Sequence, residues 1–339
     1  MSNDYLWDRS GEPDPDVARL EALLGRLRSA PPPPALPEPV VPETRWLNAR
    51  TLAPFLATAA VVTLMVAAAW RTPQPSWDVE RLAGQPRIGS TALAAGSRLA
   101  VGETLVTDSA SRARIDVSTI GHVNVDGDTT VRLVSTRDAH HRLALTRGTL
   151  HAFIVAPPGQ VVVDTPSATA TDLGCVYTLH VNDDGSGMLS VVAGWVAFEY
   201  NGRESFVPAD ASARTDPDVG PGTPRYDDAP QDVRSALDRI DFGPGNREEA
   251  LRVVLERARP RDAMTLWHLI ARVSASDRGA VVDALAARVP IPAGVTRDAV
   301  ISLDKAALDQ WWDALGLREA NWWRMWKGPY PAATPGAPR

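Results

Sequence analysis

From Leu52 to Trp70 the chain reads LAPFLATAAVVTLMVAAAW, with no charged side chain. At ~1.5 Å rise per residue a helix over this stretch reaches about 28 Å, close to the thickness of a bilayer core. Leu52, Phe55, Leu56, Val61, Val62, Leu64 and Val66 each favour insertion by about 0.3 to 0.6 kcal/mol, and the alanines add little. Trp46, Trp70 and Trp77 flank the run, where amphipathic rings prefer the headgroup level. A secretory h-region is the competing reading, but the stretch starts late and runs long for one. The expectation is a single membrane span dividing a short N-terminal piece from a long C-terminal one. Arg45 and Arg50 before it balance Arg71 and Arg81 after it, so the positive-inside rule does not orient it. With no cleavable signal ahead, the plain expectation is an N-terminus in the cytosol.

Two compositional facts restrict function. The net charge is −6 and no basic stripe stands out, which argues against a nucleic-acid partner. Cys175 is the sole cysteine among 339 residues, so an intramolecular disulfide and a cysteine zinc site are both excluded.

Residues 1–30 form the first module. Asp14-Pro15 has the form of an N-cap followed by proline at the first helical position. Val17, Leu20, Leu24 and Leu27 then share a helical face, with Leu23 beside it. So short a piece cannot bury a core of its own. With Tyr5 and Trp7 ahead of it, the stripe predicts a segment that folds onto a partner; self-association and membrane-surface binding are weaker readings, since the polar face is not basic. Residues 31–50 open with PPPP and carry further prolines through Pro42, a semi-rigid polyproline spacer at ~3.1 Å per residue. The span is placed at 51–70 and a juxtamembrane segment at 71–87.

Residues 88–208 read as all-β. Short alternating runs such as Arg112–Val117, Leu150–Val155, Val176–Val181 and Trp195–Tyr200 recur about every ten residues between turn signals. Asn182-Asp183-Asp184-Gly185 is a strong hairpin turn. Such spacing suits a sandwich, a barrel or a solenoid. Residues 209–230, rich in proline and glycine, are expected to be a linker. From 231 to 328 the period becomes 3.6, with helices expected at Asp232–Phe242, Asn246–Ala258, Asp262–Val273, Asp277–Val289 and Asp304–Leu315. Asn246 and Glu249 have capping-box spacing. Residues 329–339 are expected to be a disordered tail.

The order GETLVTDSASRARIDV (102–117), TRGTLHAFIV (146–155), VVVDTPSATATDLGCVYTLHV (161–181) and LSVVAGWVAFE (189–199) resembles the FecR family of cell-surface signalling regulators. Gly102, Thr107, Gly148, Thr165-Pro166, Gly174, Val191, Gly194 and Val196 match the family pattern; Cys175 and Tyr177 stand where threonine and phenylalanine are usual. DYLWDRSGEPDP is also similar to the cytoplasmic leader of some members. The resemblance implies a bacterial inner-membrane protein, its N-terminus in the cytosol regulating a sigma factor. It also implies a periplasmic β-domain that receives a signal from an outer-membrane transducer or other envelope protein. No histidine or cysteine precedes His122, so a zinc-type leader is ruled out and binding is expected through Tyr5, Trp7 and the leucine stripe.

Other clusters are weighed the same way. Trp311, Trp312, Trp322, Trp323 and Trp326 crowd the C-terminal helices. Core packing accounts for most of them, but neighbouring tryptophans cannot share one core, which leaves a candidate ligand or docking surface. His140, His141 and His151 lack carboxylates at ligand spacing and read as surface strand and turn residues, so no metal is expected. His268 reads as structural. Cys175 reads as a buried packing thiol, and Gly148, Gly174 and Gly194 as glycines that the backbone requires. No nucleophile–base pair or phosphate loop supports an enzyme, and no cofactor is implied. The expected fold class is a membrane-anchored multidomain chain: one transmembrane helix, an all-β, solenoid- or sandwich-like periplasmic FecR domain, then a small all-α domain. The expected function is signal transduction to a sigma factor. The alternative is a membrane-anchored module that binds envelope glycan or protein without a signalling output.

Overall fold

The computed structural model describes residues 14–25 and 75–317. The chain divides into two compact units, Met1–Trp70 and Arg71–Arg339. In the first, α1 (Pro15–Gly25) is described, and none of its residues is buried.

Among the described residues the second unit carries eighteen strands in one mixed sheet. They begin with β1 (Ser76–Ala83), β2 (Arg87–Ile88), β3 (Thr91–Ala92), β4 (Arg98–Ala100), β5 (Thr104–Val106) and β6 (Arg112–Val117). Next come β7 (Gly121–Val125), β8 (Thr130–Arg137), β9 (His140–Ile154), β10 (Val161–Asp164), β11 (Thr169–Asp172) and β12 (Val176–Val181). The last six are β13 (Gly187–Ala193), β14 (Trp195–Tyr200), β15 (Arg203–Pro208), β16 (Ala211–Asp216), β17 (Gly220–Pro221) and β18 (Arg225–Tyr226).

Two ladders make up the sheet. One runs β1-β6-β7-β9-β12-β13-β16 and the other β2-β5-β8-β9-β10-β11-β14-β15. The long strand β9 belongs to both. Its first half pairs with β8 and β10, its second half with β7 and β12. The buried residues of β9 change parity on the way, from His141, Leu143 and Leu145 to Leu150, Ala152 and Ile154. A strand has period two, so this change of phase records a bend that carries the chain from one ladder to the other. The bend lies at Gly148, which has φ +94° and whose missing Cβ would lie 2.4 Å from the Thr129 Cα. Later crossings follow the same rule, with Gly174 between β11 and β12 and Gly194 between β13 and β14. Leu133, Leu143 and Phe198 from one ladder and Val123, Leu150 and Leu179 from the other enter a single buried cluster. The folded-over sheet therefore encloses its own core.

The expected fold class needs correction. The second unit is a large mixed sheet, with β9 and β10 parallel, followed by helices that do not stand apart as a small all-α domain. Among the described residues no helix is long and apolar enough to cross a membrane. Leu52–Trp70, the proline spacer and the tail lie outside those residues. The stretch expected to be a linker contains β16, β17 and β18, and Ala211 and Ala213 of β16 are fully buried. Its Pro and Gly mark the tight connections between short strands rather than loose chain. Strand β1 lies in the middle of the segment expected to be juxtamembrane; its charges hid it, because only Trp77 and Val79 face inward.

The helices are α2 (Gln231–Phe242), α3 (Arg247–Arg257), α4 (Ala263–Ile270), α5 (Arg278–Ala286), α6 (Arg297–Ile301) and α7 (Lys305–Ala314). Sequence periodicity misses α6, which spans little more than one turn. Asn246 caps α3 by accepting the Glu249 N–H at 3.1 Å, but the Glu249 carboxylate binds Arg252 instead of closing a capping box. Leu237, Leu266, Leu285, Val300 and Trp311 anchor a second buried cluster between the helices. Helices and sheet are then joined by a polar clamp. The backbone N–H of Phe206 on β15 donates to His268 Nε2 at 3.0 Å, while His268 Nδ1 bonds the Met264 carbonyl at 2.9 Å. This fixes a neutral tautomer and satisfies a donor on the sheet edge that burial would otherwise strand. Behind it, buried Asp241 of α2 accepts from Arg203 at 2.6 Å and from the Thr223 N–H at 2.6 Å. Arg272 donates to the Glu204 carbonyl at 2.8 Å, and burial pulls its guanidinium down to about 10, partly offset by Asp241.

Candidate functional site

Of the residues expected near the N-terminus to bind a partner, Val17, Leu20 and Leu24 lie on α1. Asp14 accepts the Asp16 N–H at 2.9 Å and Pro15 opens the helix, so the local sequence sets where it starts. Leu20, Leu23 and Leu24 are 60%, 61% and 53% exposed, and Val17 is half-buried on the same side. Covering a leucine contributes about 1.5–3 kcal/mol, a gain this stripe leaves open. Tyr5, Trp7 and Leu27 lie outside the described residues.

The three glycines and Cys175 converge on the sheet's crossings. Gly174 (φ +86°) and Gly194 (φ +76°) sit back to back, and a Cβ on Gly194 would lie 2.2 Å from the Gly174 carbonyl oxygen. Beneath that contact is a buried polar cluster that sequence reading did not find. Asp172, 2% exposed, accepts the Gly174 N–H at 2.6 Å and the Cys175 thiol at 2.9 Å. Burial raises the Asp172 carboxyl to about 6, against the opposing pull of those hydrogen bonds. Burial, then the neighbouring Asp172, pushes the Cys175 thiol far above its ordinary range. A thiol held protonated is neither nucleophile nor metal ligand. The Tyr177 hydroxyl is buried without a hydrogen-bond partner, and burial followed by Asp172 drives its pKa well up. The sequence signal was available: Asp172 stands two residues before a positive-φ glycine, the spacing of an Asx turn.

Two expectations follow for this corner. Because the folded protein holds the Asp172 proton more tightly than the unfolded chain, stability from this group is fullest below about pH 4 and is lost as pH rises through about 6. The loss amounts to about 3 kcal/mol. Urea denaturation at pH 4.5, 5.5 and 7.5 should show this slope in the wild type and a flatter one in Asp172→Asn; equal slopes would remove the argument. Cys175→Thr should be close to neutral, since a hydroxyl replaces the thiol as donor to Asp172. Cys175→Val should cost about 1–3 kcal/mol by removing that donor.

The tryptophan expectation is half corrected. Trp311 and Trp312 are both fully buried, because α7 lies between two cores. Trp311 faces the helical cluster and donates to the Val289 carbonyl at 3.2 Å. Trp312 faces the sheet cluster, against Trp267 at 4.7 Å, Phe206 at 5.4 Å and Trp195 at 6.3 Å between ring centroids. Neither offers an exposed docking surface. Trp322, Trp323 and Trp326 lie outside the described residues.

His141 is also not a surface residue. It is 6% exposed, bonds Thr136 Oγ1 at 2.8 Å and meets Trp77 edge-on, and burial lowers its pKa, with His140 adding to the effect. His151 does lie on the outer face, between Asp126 Oδ2 and Thr178 Oγ1, each 2.9 Å away. This hydroxyl–imidazole–carboxylate row lies across the open faces of β9 and β12. Among the described residues no three acidic, histidine or cysteine side chains are grouped to hold a metal ion.

No curated protein matches this chain. Two crystal structures similar to it, at 1.65 and 2.50 Å resolution, are of a protein described as a candidate anti-sigma factor from Parabacteroides distasonis. Both are 15% identical to it with a TM-score of 0.33. The alignments cover 40% and 45% of this chain, and 64% and 73% of the respective structures. The model of the FecR protein family matches residues 103–197, which run from β5 into β14. The matched residues are joined in one sheet to strands that lie on either side of them.

Proposed function

We propose that this chain regulates a sigma factor in response to a signal received by its sheet unit. The observation that carries the reading is the FecR match over residues 103–197 in a chain whose N-terminal helix leaves its leucine face uncovered. In this reading Val17, Leu20 and Leu24, with Tyr5, Trp7 and Leu27, hold the sigma factor. The receiving surface faces an envelope protein such as an outer-membrane transducer. The outer face of the sheet offers one patch suited to it: Phe153, Val155 and Val192 are 46%, 72% and 65% exposed, and His122 stacks on Phe153 at 5.4 Å. The proposed placement is the bacterial inner membrane, with the N-terminal segment in the cytosol and the sheet unit in the periplasm.

Co-expressed with the sigma factors of its host, the full chain should co-purify with one of them. A periplasm-active reporter fused after Arg339 should be active, and the same reporter fused at Ser2 silent. Failure of every sigma factor to co-purify removes the proposal, and the reversed reporter pattern removes the placement. A second reading, a module that binds envelope protein without a signalling output, draws on the same outer patch. It is favoured if Phe153→Asp abolishes envelope binding while no sigma-dependent transcript changes.

A further inference from the structure

A cavity of about 440 Å³ lies along the seam between the sheet edge and the helices. Phe206, Trp267, Ala271 and Leu308 supply apolar wall, and Arg203 and Glu204 supply charge. The wall is a fixed one: Trp267 Nε1 donates to the Leu308 carbonyl at 3.0 Å, tying α4 to α7. The arginines are held from behind, Arg203 by Asp241 and the Pro221 carbonyl, Arg272 by Glu204 and Ser205. Their hydrogen-bonding capacity is turned toward the protein, while an arginine lining such a wall can still take an aromatic ring by stacking.

The chain itself supplies a segment of matching chemistry. Past α7, Gly316 adopts φ +77°, the left-handed turn that ends a helix and redirects the chain. Leu315 and Leu317 pack back against the buried clusters. The ten residues that follow, REANWWRMWK, contain Trp322, Trp323, Met325 and Trp326, with Arg324 and Lys327 among them. Leu308 lies about 9 Å back along α7 from its last residue, Ala314, taking ~1.5 Å per residue. The five residues from Leu317 to Trp322 extend to about 17 Å, so the first tryptophan can reach the cavity.

We propose that this cavity is the docking site of the chain's own segment 318–327. Indole rings enter between Phe206, Trp267 and Leu308, and Arg324 and Lys327 lie toward the Glu204 side. A partner carrying a similar tryptophan-bearing basic peptide would compete for the same place.

The test is photo-crosslinking in the full chain, with p-benzoylphenylalanine at position 308 and, in a separate variant, at position 271, exposed at the cavity rim. Cross-links are mapped by mass spectrometry in a mixture of isotopically light and heavy chains. The expected result is cross-links from both positions into residues 318–327 of the same chain, with a yield independent of dilution. Changing Trp322, Trp323 and Trp326 together to serine should lower that yield several-fold, and Glu204→Arg should lower it less. Cross-links that join light to heavy chains would show a second copy as the occupant and overturn the proposal. So would the absence of cross-links to 318–327 from both positions.

Discussion

Gly194→Val should destabilise the full chain by about 2–5 kcal/mol, among the largest losses available from one substitution in this sheet. Two costs add. Gly194 holds φ +76°, which a β-branched residue adopts only with strain of about 1–2 kcal/mol. Its Cβ would also lie 2.2 Å from the Gly174 carbonyl oxygen and 3.0 Å from the Cys175 Cα. Both are backbone, so a crossing of the sheet must move, and overpacking of that kind typically costs a further 1–3 kcal/mol or so. The displaced corner carries the hydrogen bonds to Asp172, so its burial is disturbed as well. Gly202→Ala is the control. Gly202 also has positive φ, at +80°, but a Cβ there meets nothing within 4 Å, and its cost should stay near 1 kcal/mol. Urea melts of the two full-length variants decide the matter. Similar midpoints would mean that the stacked glycine crossings do not organise this part of the sheet.

Leu20→Asp combined with Leu24→Asp should weaken sigma-factor binding by at least about a thousandfold. Both leucines lie more than half exposed on one face of α1. Losing their burial against a partner forfeits about 1.5–3 kcal/mol each, and placing carboxylates in the same groove adds desolvation. Together this exceeds the roughly 4 kcal/mol that a thousandfold change requires. Aspartate is also a poorer helix former than leucine. Leu20→Ala with Leu24→Ala is therefore the companion variant, since it keeps helix propensity and should still cost about 3 kcal/mol. Ala22→Glu on the opposite face should leave binding unchanged. Titration of the sigma factor against the three variants measures this. Undiminished affinity in the alanine pair would remove the leucine face as the binding element.

Local chemistry was legible wherever its cause is local. The Asp14-Pro15 start of α1, the Asn246 cap of α3 and the turn at Asn182–Gly185 follow from side chains reaching backbone groups a few residues away. The glycines at 148, 174 and 194 stand out in sequence because each interrupts a strand pattern. What escaped were elements whose identity depends on what covers them. Strand β1 presents three charges and two inward residues, and β16 to β18 are short and bounded by proline and glycine; without their neighbours neither looks like sheet. The membrane-anchored fold class rested on a stretch outside the described residues, and the helices expected to form their own domain share a seam with the sheet.

The sequence by itself determined the alternating strands, the positions where the chain crosses between ladders and the FecR pattern, because periodicity and backbone-restricted residues act over a few positions. Only the tertiary structure decided that Trp311 and Trp312 bury in two different cores, that His268 clamps the edge of β15, and that Asp172 is a carboxyl shut beneath Gly174 and Gly194. Those outcomes depend on surfaces brought together from distant parts of the chain, where burial sets both the energy of a side chain and its proton affinity.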